Sequence, residues 1–477
     1  MEDYEFEFHI LEARKPYSGR QGVPHVLISG AGPGGLMLAI LLEKADISYE
    51  ILERSKELAR PLGSVMSLSG NILPVFEQLG LYDELLNFAK PINALHFLDS
   101  SLKKIGEIMG TDSEEKDLIG YNRLVFARPD LYDLLLAKVP AHKISMNKKV
   151  VAMIQNDQGV AVRCQDKSIY VADILVGADG AHSGVRQTLY RRLQDTNILP
   201  ECDSRTMSKG YLCLVGVTKP LDPSRYPELR HQYSDAALMV ADNSPYSWST
   251  FVISGDRVCW NVIIQLTAKQ SEDEQFRGSQ WDPESNETMI KQVAHFRTPY
   301  GSMGDLFAVT PREAISRVLL EDILYQTWHH ERTVLIGDAC HKLLPSTGQG
   351  CVNAMQDAVV LANCLYEMKS MAFEDIEEAL HDFREQRFIH AKTQYDATQW
   401  SAKLMYGHTI IERVLRQVVF NLMPRSMLKS RISKDSAYRP QVSFLPQTPN
   451  RGTIPPLPQK PSAKYAAHLA TVLIEKQ

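Results

Sequence analysis

The chain of 477 residues has no CxxC pair: its seven cysteines, Cys164, Cys202, Cys213, Cys259, Cys340, Cys351 and Cys364, stand singly. That excludes a disulfide framework and a zinc-ribbon site, and it predicts a reduced, cytoplasmic protein without a metal. Positive charge is not in excess either. A net charge of −5 offers nothing to hold a nucleic acid backbone. No window approaches the ~18 uninterrupted apolar residues of a membrane span. The opening stretch "MEDYEFEFHILEARKPYSGRQGVP" is acidic and lacks the basic start and apolar run of a secretory leader. No internal repeat is visible, and compositional bias is confined to a proline-rich stretch near the end. What remains is an ordinary globular composition, 44% hydrophobic and 23% charged, at a length that suggests two or three domains.

The first informative stretch is "HVLISGAGPGGLMLAILLEKADISYEILERS". An apolar strand from Val26 to Ser29 runs into a glycine turn, then an apolar helix, then a second strand ending at Glu53. The glycines Gly30, Gly32 and Gly35 form G-x-G-x-x-G in the context that a dinucleotide site requires. Gly30 allows the tight turn, Gly32 lets a pyrophosphate approach the backbone, and Gly35 lets helix and strand pack closely. Glu53 follows Gly35 by 18 residues. At that distance a carboxylate accepts hydrogen bonds from both ribose hydroxyls, which predicts a nucleotide without a 2′-phosphate. This unit alone does not separate NAD from FAD.

Two further motifs lie downstream. "YVADILVGADGAHSGVR" runs from a strand into a turn holding Asp179 and Gly180, with Ser183 and Arg186 beyond it. "GDACHKLLPSTGQG", from Gly337 to Gly350, follows the apolar run "TVLI" and leads into an apolar helix from about Val352 to Leu365. Its adjacent Cys340 and His341 raise the question of a thiol or metal site. A bland reading is open for each motif, since Asp179 and Asp338 could simply cap a turn or helix.

In their order and spacing these three motifs resemble those of the group A flavoprotein monooxygenases, the para-hydroxybenzoate hydroxylase-like family. The likeness is nearest to the fungal FAD-dependent monooxygenases and epoxidases of secondary metabolism, and it covers about residues 25–395. The resemblance implies FAD as resident cofactor and NAD(P)H as a passing reductant. It implies O₂ activation through a flavin hydroperoxide and oxygen transfer to a lipophilic small molecule, by hydroxylation or epoxidation. Site residues follow position by position. Glu53 matches the ribose acid, Asp338 the aspartate that meets the ribityl chain, and Asp179 the aspartate of the second motif. Arg128, in "FARPDLYDLL", matches an arginine that opens a helix and reaches FAD. Ser67 and Cys351 match flavin-side positions more often held by glycine and alanine. The turn through Gly348, Gln349 and Gly350 would aim a helix N-terminus at the flavin, where backbone amides favour negative charge on the reduced ring. Cys340 and His341 are then bystanders to the chemistry. Two alternatives stay open: an FAD-dependent reductase or dehydrogenase of a lipophilic substrate, and a binding module without activity. A halogenase is disfavoured because no WxWxIP-like motif is present.

The expected fold is α/β, a Rossmann-like FAD-binding domain interrupted by a mostly antiparallel substrate-binding sheet and followed by helices. The expected divisions are an N-terminal extension (1–24), FAD-binding segments (25–205 and 311–395), the sheet (206–310), C-terminal helices (396–436) and a proline-rich tail (437–477). Within the sheet, "GYLCLVGV" and "SWSTFVISGDRVCWNVIIQL" read as strands with a hairpin at Ser254, Gly255 and Asp256. Tyr211 is the candidate catalytic or substrate-orienting side chain, and Trp248 and Trp260 are expected to pack. In "HTIIERVLRQVVFN", Ile410, Ile411, Val414, Leu415, Val418 and Val419 fall on one helical face with Arg413 and Arg416 opposite. Packing on the flavin domain is expected of that face, with a homodimer contact or peripheral membrane contact as alternatives. The tail, with seven prolines between Arg439 and Pro461, is expected to be extended.

Overall fold

The computed structural model describes residues 11, 23–56, 64–108, 114–241, 244–267, 283–422, 434 and 436–475. The chain enters through strand β1 (His25–Ser29), helix α1 (Pro33–Lys44) and strand β2 (Ser48–Leu52). β1 is buried on both faces, as a run without polar alternation requires of a central parallel strand. Helix α2 (Arg128–Leu136), strand β3 (Ile174–Gly177) and helix α3 (Gly184–Asp195) follow.

β1 pairs in parallel with β2 on one side and β3 on the other. The full order of this six-stranded sheet is His329–His330, Thr333–Leu335, β3, β1, β2, Ile144–Ser145. Helices α1 and α4 (Gly350–Glu367) pack against each other beside it. Their approach depends on small residues: a Cβ on Gly34 would stand 3.2 Å from that of Ala354, and one on Gly337 would stand 2.9 Å from the same atom.

The second sheet has ten strands and is mostly antiparallel. The region expected at 206–310 supplies Ser208–Val217, Ser234–Val240, Tyr246–Ile253 and Arg257–Gln265, but the sheet is not confined to it. Val65–Leu68, Lys90–Asp99, Lys104–Ile108 and Leu124–Ala127 join one end, while Ser316–Leu324 and His341–Lys342 join the other. Both segments expected to bind FAD are thus stitched into the sheet expected to bind substrate by backbone hydrogen bonds, which composition does not reveal. The hairpin at Ser254, Gly255 and Asp256 forms as a three-residue loop between the paired Ile253 and Arg257, with φ of +79° at Gly255 and +54° at Asp256.

Alternation along Ser208–Val217 sorts two cores. Leu212 and Leu214 pack with Trp248, Trp260 and Met303, whereas Tyr211 and Cys213 pack with Phe97, Ile263, Leu344 and Tyr406. Both tryptophans pack as expected, and their indole N–H groups donate to the Arg297 carbonyl and to Thr310 Oγ1.

Helix α5 (Phe373–Tyr406) is 34 residues long, so the division expected at 395/396 falls inside a continuous helix. α6 (Ile410–Leu422) comes next, and its apolar face is not where packing on the flavin domain would put it. Ile410, Ile411, Val414 and Val418 are exposed and Arg416 is buried. The tail wraps on the body: Val442 is buried, its N–H donates to Gln78 Oε1, and Phe444 stacks on Tyr366. It is not extended throughout, because Ala463–Glu475 forms a last helix, α7. Of the N-terminal extension, Leu11 is described, buried against Ile154 and Ala161.

A Cβ on Gly35 would lie 2.1 Å from the Gly30 carbonyl oxygen, so Gly35→Ala must push α1 off β1. The cost should reach at least the ~1–3 kcal/mol typical of overpacking, seen as a lower thermal midpoint in protein stripped of ligand.

Candidate functional site: a dinucleotide cradle joined to a buried ion pair

The glycine turn is built by close approach. Gly30 has φ +109°, and a Cβ there would meet the Ala178 carbonyl oxygen at 2.4 Å. Gly32 is the opposite case, since a Cβ on it would meet nothing within 4 Å. Gly32 is also the N-cap of α1 and offers no side chain to that helix end. Open space in front of helix amides is what a pyrophosphate needs.

Glu53 folds back over this turn. Its Oε2 accepts from the Ala31 N–H at 2.8 Å and its Oε1 from the Ser55 N–H at 2.9 Å. The carboxylate is thereby held at the end of β2 with lone pairs left for a ligand. Gly30, Gly32, Glu53, Arg128 and Asp179 together line one cavity of about 250 Å³. Arg128 is placed by α2, whose first turn carries a proline that pre-sets the helical backbone.

Asp179 caps a helix, as the bland reading of it expected. Its Oδ2 accepts from the Gly184 and Val185 N–H groups at 2.7 and 3.2 Å and so caps α3, where Ser183 Oγ also accepts from the Arg186 N–H. Its Oδ1 is buried and has no partner among the described residues. Burial raises its pKa, against the pull of the surrounding hydrogen bonds. An orphaned carboxylate oxygen costs free energy until a donor reaches it.

The flavin-side residues gather at a second place. Gly348 is left-handed, φ +66°, and a Cβ there would lie 2.4 Å from Ser67 Oγ. This brings the Val65–Leu68 strand against the turn into α4. Gly350 opens that helix with nothing within 4 Å of its missing Cβ, and Gln349 places no side-chain cap on it. Burial pushes the Cys351 thiol up to about 12, and its thiol feels the charges of Arg128 and Asp338. Tyr211 lies apart. Its ring meets Tyr406 edge-on at 5.8 Å, and burial raises its pKa to about 12.

Beneath the turn at Gly337 and Asp338 is a network that sequence reading missed. Asp357, fully buried on α4, accepts from the Gly337 N–H at 2.8 Å and pairs with His341 Nε2 at 2.6 Å. Its Oδ1 accepts from Arg387 Nε of α5 at 2.7 Å. Burial alone would raise its pKa, but the charges of His341 and Arg387 outweigh burial and hold it below the usual carboxylate range. Arg186 adds a strut from α3, donating to the Ala339 and Ala181 carbonyls at 3.0 and 2.7 Å. His341 thus has a structural partner in Asp357, a role apart from the chemistry. The signal was a carboxylate set within the apolar helix "NAMQDAVVLA", but its cation lies 30 residues further on.

Cys340, His341 and Asp357 bring ligand atoms within 4.8 Å of one another. They suit a metal poorly, because both Asp357 oxygens already accept hydrogen bonds and a guanidinium occupies one side. Burial keeps Cys340 a thiol, its pKa well above the usual value, directed at the Leu335 and Gly337 carbonyls.

An open glycine at a helix N-terminus, a ribose-height carboxylate and an orphaned aspartate oxygen fit the ADP half of a dinucleotide. The sequence matches the family described as FAD binding domain over residues 24–207 and 277–393. The chain belongs to the FAD-dependent monooxygenases. It is 28% identical to the FAD-dependent monooxygenase prhF of Penicillium brasilianum, over 88% of this chain and 87% of that one. It is equally 28% identical to andE of Emericella variicolor, over 82% and 83%. Among solved structures the monooxygenase is similar to Klebsiella pneumoniae HpxO complexed with FAD and uric acid. That likeness has a TM-score of 0.71 at 20% identity, covering 89% of this chain and 98% of HpxO. The 2,6-dihydroxypyridine-3-hydroxylase of Arthrobacter nicotinovorans has a TM-score of 0.65 at 16% identity, covering 82% and 95%. FAD is therefore the cofactor of this fold.

Three outcomes are expected of the monooxygenase. Gly32→Ala meets no protein atom, so the ligand-free thermal midpoint should hold while FAD retention falls about tenfold, ~1.4 kcal/mol, read by flavin absorbance after gel filtration. Asp338→Ala should also weaken retention, by the roughly 1.5–3 kcal/mol of a charge-assisted hydrogen bond. Cys340→Ala should keep flavin and most turnover.

Proposed function

We propose that this monooxygenase consumes NAD(P)H and O₂ to hydroxylate or epoxidise an apolar small molecule of aromatic, terpenoid or polyketide type. The observation that carries the reading is the apolar cluster in which Tyr211, Phe97 and Ile263 of the second sheet meet Tyr406 of α5 and Leu344. Leu344 directly precedes the turn at Pro345–Thr347 that leads to Gly348 and α4. A substrate bound against that cluster would rest on rings and aliphatic chains beside the helix N-terminus, in a setting that favours apolar ligands.

Bound FAD supplies hydride acceptance and oxygen activation, chemistry that no side chain provides. The chain's own residues bind, orient and exclude water. Gly30, Gly32, Glu53, Arg128 and Asp179 would hold the ADP half, Asp338 the ribityl chain, and Ser67, Gly350 and Cys351 would border the ring. The amides at the start of α4 would favour negative charge on its pyrimidine edge. Tyr211 would orient substrate by ring contact, since a phenol with so high a pKa does not act as a base near neutrality. For the reductant, Glu321 supports a docking place beside the Asp179 loop. His182 and Lys342 lie 3.3 and 3.1 Å from this one carboxylate, and Lys209 lies 3.8 Å away. Burial would raise the Glu321 pKa, but His182 and Lys342 bring it to about 2. Three basic groups around one acid leave positive charge for the phosphates of NAD(P)H.

The test is turnover under ¹⁸O₂ with apolar aromatic, terpenoid and polyketide candidates. One labelled oxygen should appear in product, with NAD(P)H oxidation stimulated by that substrate. Product formed without label would favour the reductase or dehydrogenase alternative.

A further inference from the structure

Helix α6 presents to solvent the side that a surface helix ordinarily buries. Ile410, Ile411, Val414 and Val418 are 76%, 81%, 56% and 42% exposed, and all lie on one face. Arg416, on the opposite face, is buried. The orientation is fixed by hydrogen bonds. Thr409 Oγ1 donates to Glu412 Oε2 at 2.8 Å, and the Glu412 N–H donates back to Thr409 Oγ1 at 3.3 Å, which starts the helix. Arg416 Nε and Nη2 donate to the Leu404 and Gly407 carbonyls at 2.9 and 2.6 Å, at the end of α5. Turning the helix over would leave a guanidinium without these partners and those carbonyls without a donor.

Four large aliphatic side chains held outward on one face mark a contact surface. Local charge selects the occupant. Residues 403–434 contain seven lysines and arginines and one acid; leaving out the buried Arg416, the net is +5 in a chain whose total is −5. A second copy docked through the same face would bring two such segments together against their mutual repulsion. A surface of anionic lipid headgroups would attract them. No helix among the described residues is long and apolar enough to cross a membrane, so the contact lies in the plane of the interface. We propose that α6 docks the enzyme on an anionic membrane surface, with Ile410, Ile411, Val414 and Val418 seated at the acyl boundary and the net positive charge of this stretch of sequence favouring anionic headgroups.

FAD-loaded enzyme is mixed with sedimentable vesicles of phosphatidylcholine alone, or with roughly one-third phosphatidylserine. Binding to the anionic vesicles should exceed binding to the neutral ones by about tenfold and should fall as salt is raised. Ile411→Asp/Val414→Asp should abolish binding with FAD content and thermal midpoint unchanged, because both positions are exposed. Should that variant lose FAD, Ile410→Ser/Ile411→Ser gives the same reading more gently, as a partial loss. Absence of binding, equal binding to both vesicles, or undiminished binding by a folded variant overturns the proposal. So does a wild-type dimer that the same substitutions dissociate, which would make a second copy the occupant.

Discussion

The carboxylate of Asp357 is the constraint on which the cofactor side of this enzyme depends. It is fully buried, and it accepts from the amide of Gly337, pairs with His341 and accepts from Arg387. Asp357 and its partners bind three separate pieces of chain together: α4, which carries the carboxylate, the stretch from Gly337 to His341 after the central sheet, and the long helix α5. A buried charge is tolerated only when it is paired and hydrogen-bonded, so none of the three pieces can shift without leaving another unsatisfied. The position of Asp338, one residue from the clamped amide, follows from this balance.

A second constraint is steric. Gly34 and Gly337 both face Ala354, which lets α1, the Gly337 turn and α4 converge at backbone distance. Gly348 does the same against Ser67. The cradle is therefore assembled from absent side chains, while its polar anchors, Glu53 and Asp179, are held by backbone N–H groups. The departure at Ser67 is accommodated because its partner across the contact is a glycine. Cys351 fits as a small, protonated side chain at the helix start.

The long helix α5 serves two places. Near its middle Arg387 pairs with Asp357 beneath the Gly337 turn, and at its end Tyr406 packs on Tyr211 in the apolar cluster of the second sheet. One continuous helix thus spans the Asp357 network and that apolar cluster. Because α6 is tied to its last carbonyls through Arg416, the orientation of the exposed aliphatic face is set by the same element. A division of the chain at 395/396 is invisible to this architecture.

Local chemistry determined much in the sequence itself. The strand–glycine–helix–acid unit, the turn at Asp179, and the glycines before α4 are short-range patterns whose backbone requirements are written in a few adjacent residues, and each formed where its residues demanded. The packing of Trp248 and Trp260 was equally legible from strand alternation. Only the tertiary structure decided what depends on distant partners. Asp357 reads as an oddity in an apolar helix until Arg387 arrives from 30 residues away. The ten-stranded sheet gathers strands from both sides of the expected 206–310 segment. The helical wheel of α6 showed an apolar stripe without saying which way it turns. In the fold Arg416 turns inward to hydrogen-bond the end of α5, and the four aliphatic side chains face outward. Periodicity records which residues share a face, and the fold alone decides what the face meets.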